Sequence, residues 1–329
     1  MVWYDYRDKP FQLFGLMFDQ GKLCRMPEAS AAQVSQNVLH YHTHTTGGRL
    51  TFRTNSQKIT LSVELKNITR CANLCNNATA GFDLYEQNRH LKTFFTPRVL
   101  EEQYESSVTL PTKQFRNLVL YFPLYSGISA LRIGLDDDAI VEAYNPYKNT
   151  SPIVYYGPSY THGGAASRPG NIYQSKVSRD MNMDFINLGM DGSALGETAM
   201  AEYIAGLDMG VFIMDYDANA PDAAHLEKTH EPFFKIILDK QPELPVIFMT
   251  RPCYREDTDA YARRDVIYRT YIHAKQAGDH NVYFIDSAGY FRGTDHDFCF
   301  TDGIHPNDYG FFIIGSHITA LLKDILHKT

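Results

Sequence analysis

The 329-residue sequence contains no stretch of about 18 or more apolar residues, so nothing in it reads as a membrane span. It has no low-complexity tract and no excess of basic charge. Lysine and arginine number 31 against 38 aspartates and glutamates, a net charge of −7. That balance argues against a nucleic-acid binder, which would carry a basic face. Cysteine is scarce. Cys24, Cys71, Cys75, Cys253 and Cys299 make an odd set without regular spacing, not a disulfide framework. The opening MVWYDYRDKPFQLFG lacks a basic segment followed by an apolar one, so no signal peptide is expected. The expectation is therefore a cytoplasmic protein, with secretion left open if a leader has been removed. In that reducing compartment Cys71 and Cys75, although near enough to pair, are expected to stay free.

What is present is a globular composition, 44% hydrophobic and 21% charged, long enough for two ordinary domains. Up to about residue 150 the text reads as β structure. RLTFRTNS, KITLSVEL, AGFDLYEQ, RNLVLYFPLY and ALRIGLDDDAIVEAY are short runs of β-branched and aromatic residues separated by turn residues. Their spacing predicts a β-sandwich of jelly-roll type over 1–150. From residue 151 to 329 strands and helices alternate. Strands are predicted at 153–157, 183–189, 210–217, 245–251 and 282–286, as near-continuous apolar runs that suit burial on both faces. Helices are predicted around 170–180, 195–206, 221–240, 257–277 and 307–326. The last carries Phe311, Ile314, Ile318, Leu321, Leu322 and Ile325 at helical spacing. This alternation implies a parallel sheet in a three-layer α/β/α, flavodoxin-like domain, joined to the first by a linker over 146–152.

In such a sheet ligands bind beyond the carboxyl ends of the strands. Four loops there carry chemistry. Gly157-Pro158-Ser159 can present a hydroxyl at a strand-to-helix turn, with free backbone N–H groups behind it. Gly192 can offer its N–H to a closely approaching ligand. Asn219 can aim its amide at the same space. Asp302, three residues before His305, can hold an imidazole whose other nitrogen is free to act as a base. Taken singly, each is equally a turn, a loop glycine, a helix cap or a surface histidine. Together they supply a nucleophile, oxyanion donors and an orienter–base pair on one sheet edge, which points to a hydrolase.

At these residues the chain resembles the SGNH (GDSL-type) hydrolases: block I at Gly157-Pro158-Ser159, block II at Gly192, block III at Asn219 and block V at Asp302-x-x-His305. The text YYGPSYTHGGAASRPGNIY also resembles a bacterial subfamily with an N-terminal β-sandwich. Pro158 departs from the usual Asp or Ser, and Asp217 stands where block III has glycine. The resemblance implies an esterase working through an acyl-enzyme. Ser159 is the nucleophile, His305 the base, Asp302 its partner, and Ser159, Gly192 and Asn219 the oxyanion donors, with no cofactor and no metal. It also implies acetylated plant polysaccharides or oligosaccharides, of xylan or mannan type, as substrate.

Several further readings are weighed. Tyr160, His162 and Arg168 are candidate substrate contacts, with Arg168 equally suited to fixing its own loop. Tyr155, Tyr156, Tyr173 and Tyr290 offer aromatic faces to sugar rings or simply pack. His40, His42 and His44 alternate as they would on one face of a strand, but lack a carboxylate or cysteine companion for a metal. His296, between Asp295 and Asp297, is a second-choice base. Asn67, Asn77 and Asn149 fit the glycosylation pattern by chance. The rival functions are a lysophospholipase or thioesterase, and an inactive glycan-binding protein. No nucleic-acid or membrane partner is expected, and the oligomeric state is not legible.

Overall fold

The computed structural model describes residues 1–253, 258–293 and 296–326. Two antiparallel sheets face each other in the N-terminal half. One runs β1 (Val2–Asp5), β11 (Gly127–Leu135), β6 (Lys58–Lys66) and β9 (Gln103–Thr109). The other runs β12 (Val141–Glu142), β5 (Arg49–Thr54), β10 (Arg116–Tyr121), β7 (Phe82–Glu86) and β8 (Arg89–Phe94), with β2 (Gln12–Phe14) also on β5. Alternation drives the packing: Ile59, Leu61, Val63 and Leu65 of β6 all point into a core shared with Phe52, Leu84, Leu118 and Leu131. A small ribbon, β3 (Met17–Asp19) with β4 (Lys22–Cys24), pairs with neither sheet but packs on β11, with Leu23 in the sandwich core.

The C-terminal half is built on a parallel sheet in the order β14 (Met183–Gly189), β13 (Asn149–Gly157), β15 (Val211–Met214), β16 (Val246–Met249) and β17 (Val282–Ile285). The first strand in sequence is therefore second in space, and the reversal between β14 and β15 opens a crevice at the carboxyl end of β13. Helices α5 (Tyr173–Met181), α6 (Thr198–Ala205), α7 (Ala223–Lys240), α8 (Thr258–Ala277) and α9 (Asp308–Leu326) cover the two faces. In α9, Phe311, Ile314, Ile318, Leu322 and Ile325 are buried, as the helical spacing predicts. That helix is long and apolar enough to cross a bilayer by length and composition, but its apolar stripe is packed into the protein core. The three-layer architecture agrees with the sequence expectation.

The N-terminal half is not purely β. Residues 28–41 form α1 (Glu28–Val34) and α2 (Gln36–Tyr41), with Ser35 capping α2 by accepting from the Val38 N–H at 3.1 Å. Ala31, Val34, Val38 and Tyr41 recur at intervals of three and four, a helical stripe that the strand-dominated reading passed over. Of this pair α1 packs against α6. Met26, Ala31 and Val38 share one core cluster with Val154, Leu188 and Met200 of the C-terminal half. His40, His42 and His44 consequently sit in and just after α2, not on a strand, and the proposed one-face register does not exist. A short helix, α3 (Asn76–Ala80), precedes β7. All five cysteines are free thiols.

Candidate active site

Strand β13 ends at Gly157 because the chain is crowded there. A Cβ on Gly157 would lie 2.3 Å from Thr161 Oγ1 and 2.6 Å from the Asp215 carbonyl oxygen. Pro158 then caps a four-residue helix, α4 (Ser159–His162), in an extended conformation that proline adopts without strain, so its departure from the family pattern leaves the turn intact. Ser159 is the first helical residue, and its N–H is among those that a helix leaves without an internal acceptor. The turn is pinned from below: the Tyr160 hydroxyl donates to Asp215 Oδ1 at 2.8 Å, and burial pushes the Asp215 carboxyl well above the ordinary carboxylate range.

The loop before α9 brings up the imidazole. Phe300 and Pro306 form an isolated bridge, and the Thr301 N–H donates to the His305 carbonyl at 2.9 Å. Gly303, at φ +77°, makes the tight turn between them. His305 Nε2 lies 2.8 Å from Ser159 Oγ, and His305 Nδ1 lies 2.7 Å from Asp302 Oδ2. Asp302 Oδ1 accepts from the Ile304 and His305 N–H groups at 3.0 and 2.9 Å. Partial burial works against the charge of Asp302, but these two amides and the imidazole outweigh it and hold the carboxyl at about 2. A carboxylate fixed in its charged form selects the Nδ1–H tautomer and leaves Nε2 to take a proton from Ser159.

Two more loops close the site. Met190 N–H donates to the Gly157 carbonyl at 2.9 Å, tying the loop after β14 to the nucleophile turn. Gly192 follows at φ +63°, where an added Cβ would meet open space. Asn219 ends a short 3-10 turn, Asp217–Asn219, after β15. Its Oδ1 accepts from the Ala194 N–H at 3.2 Å, which fixes the amide orientation and leaves Nδ2 as a donor. The two candidate oxyanion loops are thus joined to each other. Asp217 serves that loop rather than disturbing it. Its buried carboxylate accepts from the Arg251 N–H at 2.8 Å and from the Arg251 guanidinium at 3.1 and 3.2 Å, while Arg263 donates to the Asp217, Ala220 and Pro221 carbonyls.

Two of the three expected substrate contacts need correction. His162 is fully buried behind the nucleophile turn, stacked on Tyr125 at 4.2 Å, with Nε2 2.9 Å from the Leu124 carbonyl and 3.3 Å from His44 Nδ1. It cannot reach a substrate. Arg168 fixes its own loop instead: its guanidinium donates to Asp83 at 2.9 Å and to the Tyr85 hydroxyl at 2.8 Å, across the junction of the two halves. Tyr160 is largely buried with its hydroxyl on Asp215, yet it lines a cavity of about 290 Å³ together with Ala218, Arg251, Pro252, Cys253, Gly303 and Ile304, so it stays a candidate contact. Tyr155, Tyr156 and Tyr173 are core residues, and Tyr290 stacks on His317. His296 stacks on Phe300; its neighbour Asp295 lies outside the described residues. Among the described residues no cluster of His, Cys, Asp and Glu is arranged to hold a metal.

Sequence reasoning missed two residues that the fold brings to the site. The Tyr125 hydroxyl, from the N-terminal half, lies 3.3 Å from the Ser159 carbonyl and within reach of the Asp191 carboxyl, and its one proton can go to either. Burial raises Asp191 above its ordinary range, opposed by Tyr125 and by the nearby His305. Neither carries a local signal, since Tyr125 is 34 positions upstream of the serine.

A model of the GDSL-like lipase/acylhydrolase family matches residues 150–323, and one of the N-terminus of SGNH-hydrolase-type esterases matches residues 1–141. The latter is designated GxDLY, a pattern that Gly81-Phe82-Asp83-Leu84-Tyr85 fits. A solved structure from Bacteroides ovatus ATCC 8483, described as a GDSL-like lipase, is 26% identical with a TM-score of 0.87, covering 99% of this chain and 98% of that one. The salicylyl-acyltransferase SsfX3 of a tetracycline biosynthetic pathway is 18% identical, with a TM-score of 0.80 over 99% and 98% of the two chains. A family two carbohydrate esterase from Clostridium thermocellum, solved with cellohexaose, shares the fold at 14% identity, with a TM-score of 0.67 over 96% and 99%. No curated protein sequence matches the chain.

Proposed function

The chain belongs to the GDSL-like lipase/acylhydrolase family and is a carboxylic ester hydrolase; from that premise we propose that it removes O-acetyl groups from plant polysaccharides or oligosaccharides of xylan or mannan type. The observation that carries the chemistry is the continuous relay from Asp302 through His305 to Ser159, with links of 2.7 and 2.8 Å. In this reading His305 removes the Ser159 proton as Oγ attacks the ester carbonyl. Asp302 stabilises the imidazolium that forms. The N–H groups of Ser159 and Gly192 and the Asn219 amide receive the developing oxyanion. His305 then returns the proton to the leaving alcohol, and water releases the acyl group by the same steps in reverse.

The carbohydrate part of the reading draws on solved proteins of this fold, among them family two carbohydrate esterases and an acetyl xylan esterase from Butyrivibrio proteoclasticus. The test is acetate release from acetylated xylan and mannan oligomers, with p-nitrophenyl acetate as the generic ester and Ser159→Ala as control. Equal p-nitrophenyl acetate rates for wild type and Ser159→Ala would end the serine-esterase assignment. Activity on that ester without acetate release from either glycan would end the carbohydrate assignment alone. A specific observation favours a second reading. The cavity beside the site, partly walled by Ala218, Pro252, Cys253 and Ile304, has room and apolar surface for an acyl group longer than acetyl. A preference for octanoyl over acetyl esters would select it.

A further inference from the structure

Arg25 lies in the N-terminal half, just after β4, far in sequence from every residue of the proposed reaction. It is one of the most deeply buried charges in the molecule, 2% exposed, and no carboxylate faces it among the described residues. Its two terminal nitrogens are held by carbonyls instead, while the buried Nε has no partner among those residues. Nη1 donates to the Gly189 carbonyl at 2.6 Å and to the Asn187 carbonyl at 3.1 Å, and Nη2 donates to the Tyr41 carbonyl at the end of α2 at 2.7 Å. The Arg25 backbone N–H donates to the His42 carbonyl at 2.8 Å, so the side chain is anchored at its root. Burying a charge costs heavily unless it is hydrogen-bonded, and charge-assisted bonds of this length are the strong ones.

Where those carbonyls lie gives the arginine its meaning. Asn187 and Gly189 are among the last three residues of β14, and the chain leaves Gly189 directly into Met190, Asp191 and Gly192. Met190 N–H bonds the Gly157 carbonyl beside the nucleophile, and Ala194 N–H bonds Asn219. Gly189 itself is wedged against α4, since a Cβ there would lie 2.2 Å from the His162 nitrogen. The loop carrying Gly192 is therefore clamped between the nucleophile turn on one side and Arg25 on the other. A hole for an oxyanion works only if its donors are placed before charge develops, and a displacement of about 1 Å costs on the order of 10²-fold in rate.

We infer that Arg25 is a positioning residue for the oxyanion loop, so that the N-terminal half completes the catalytic centre instead of only roofing or carrying it. This rests on the serine-esterase reading above. Removing the guanidinium leaves two carbonyls at the end of β14 without their donor and frees the Gly189–Gly192 stretch to drift, while substrate binding elsewhere is untouched. The expected signature is a fall in kcat at nearly constant KM.

The experiment compares wild type, Arg25→Met and Arg25→Lys on p-nitrophenyl acetate. Each preparation is titrated with diethyl p-nitrophenyl phosphate, which counts serines in working sites. Expressing kcat per titrated site removes any loss due to misfolded protein, which is all that a merely structural arginine would cause. Arg25→Met is expected to lower kcat per site about 10- to 100-fold with KM within about threefold. Arg25→Lys, which keeps the charge but not the planar fork, is expected to fall between. If Arg25→Met does not fold, the lysine variant carries the test alone, with a loss of at least about fivefold expected. A kcat per site within twofold of wild type in the folded variants overturns the inference, whatever happens to yield or melting temperature. Inactive wild type would instead overturn the esterase reading, so the two failures are distinguishable.

Discussion

Asp83 offers the sharpest test of how the two halves are held together. It is the aspartate of the Gly81–Tyr85 motif and is fully buried on β7. Oδ2 accepts from Arg168 at 2.9 Å and from the Gly170 N–H at 2.8 Å, and Oδ1 accepts from Thr93 at 2.7 Å. Asp83→Ala removes the acceptor from all three, leaving Arg168 only the Tyr85 hydroxyl and the Gly170 N–H without the carboxylate. Breaking a buried ion pair by removing one partner costs about 3–5 kcal/mol. The Arg168 side chain keeps 24% exposure and can recover some hydration, so the lower end, about 3 kcal/mol, is expected. Burial raises the Asp83 carboxyl, but His90, Arg168, Thr93 and the Gly170 amide outweigh it and hold the group below its ordinary value. A carboxyl depressed in the folded state stabilises fully above its unfolded value, near pH 4, and loses that contribution as pH falls through the folded one. The penalty of Asp83→Ala should therefore be full at pH 7 and shrink below about pH 4. Urea unfolding followed by far-ultraviolet circular dichroism measures it. A cycle with Arg168→Met should show coupling of about 1–3 kcal/mol. A loss under about 1 kcal/mol at pH 7, or additive single and double variants, would refute the clamp.

Further outcomes follow from the same geometry. Asp302→Asn should lower kcat by about 10³- to 10⁴-fold with little change in KM, because the amide no longer selects the Nδ1–H tautomer; steady-state kinetics on p-nitrophenyl acetate would expose a smaller effect. Asn219→Ala should lower kcat by about 10²- to 10³-fold while thermal unfolding shifts only slightly. Gly189→Ala and Gly192→Ala should separate: the first drives a Cβ into the backbone of His162 and should unfold or cripple the protein, whereas the second meets open space and should cost only about 1 kcal/mol for its positive φ. Burial holds His44 down at about 3, and it likewise holds His162 well below the ordinary histidine value. The unfolded chain binds protons at these residues first, so stability falls as pH drops from about 6.5 toward 3, by up to about 1.4 kcal/mol per pH unit for each histidine. Urea midpoints that stay flat between pH 7 and pH 5 would contradict this.

The parallel sheet was legible because strands buried on both faces write themselves as unbroken apolar runs: 183–189 coincides with β14, and 282–286 overruns β17 by one residue. Ser159, Asp302 and His305 stood out for a related reason. Ser159 sits where β13 ends, Asp302 and His305 sit in the loop that leads from β17 into α9, and the fold collects such loops on one edge. The α1–α2 pair was not legible. Two short helices among strands present few apolar residues, and their burial depends on a core supplied by residues of the C-terminal half more than 100 positions away in sequence. Arg25, Tyr125 and Asp83 were silent for the same reason, and Asp217 was legible only as a departure from the family pattern: a buried polar residue takes its meaning from a partner, and sequence order does not name it. Local pattern thus determined which groups this chain could bring to an ester. Only tertiary packing decided that His162 and Arg168 would hold the scaffold instead of the substrate, because burial and hydrogen-bond satisfaction are properties of the assembled interior, not of the residue.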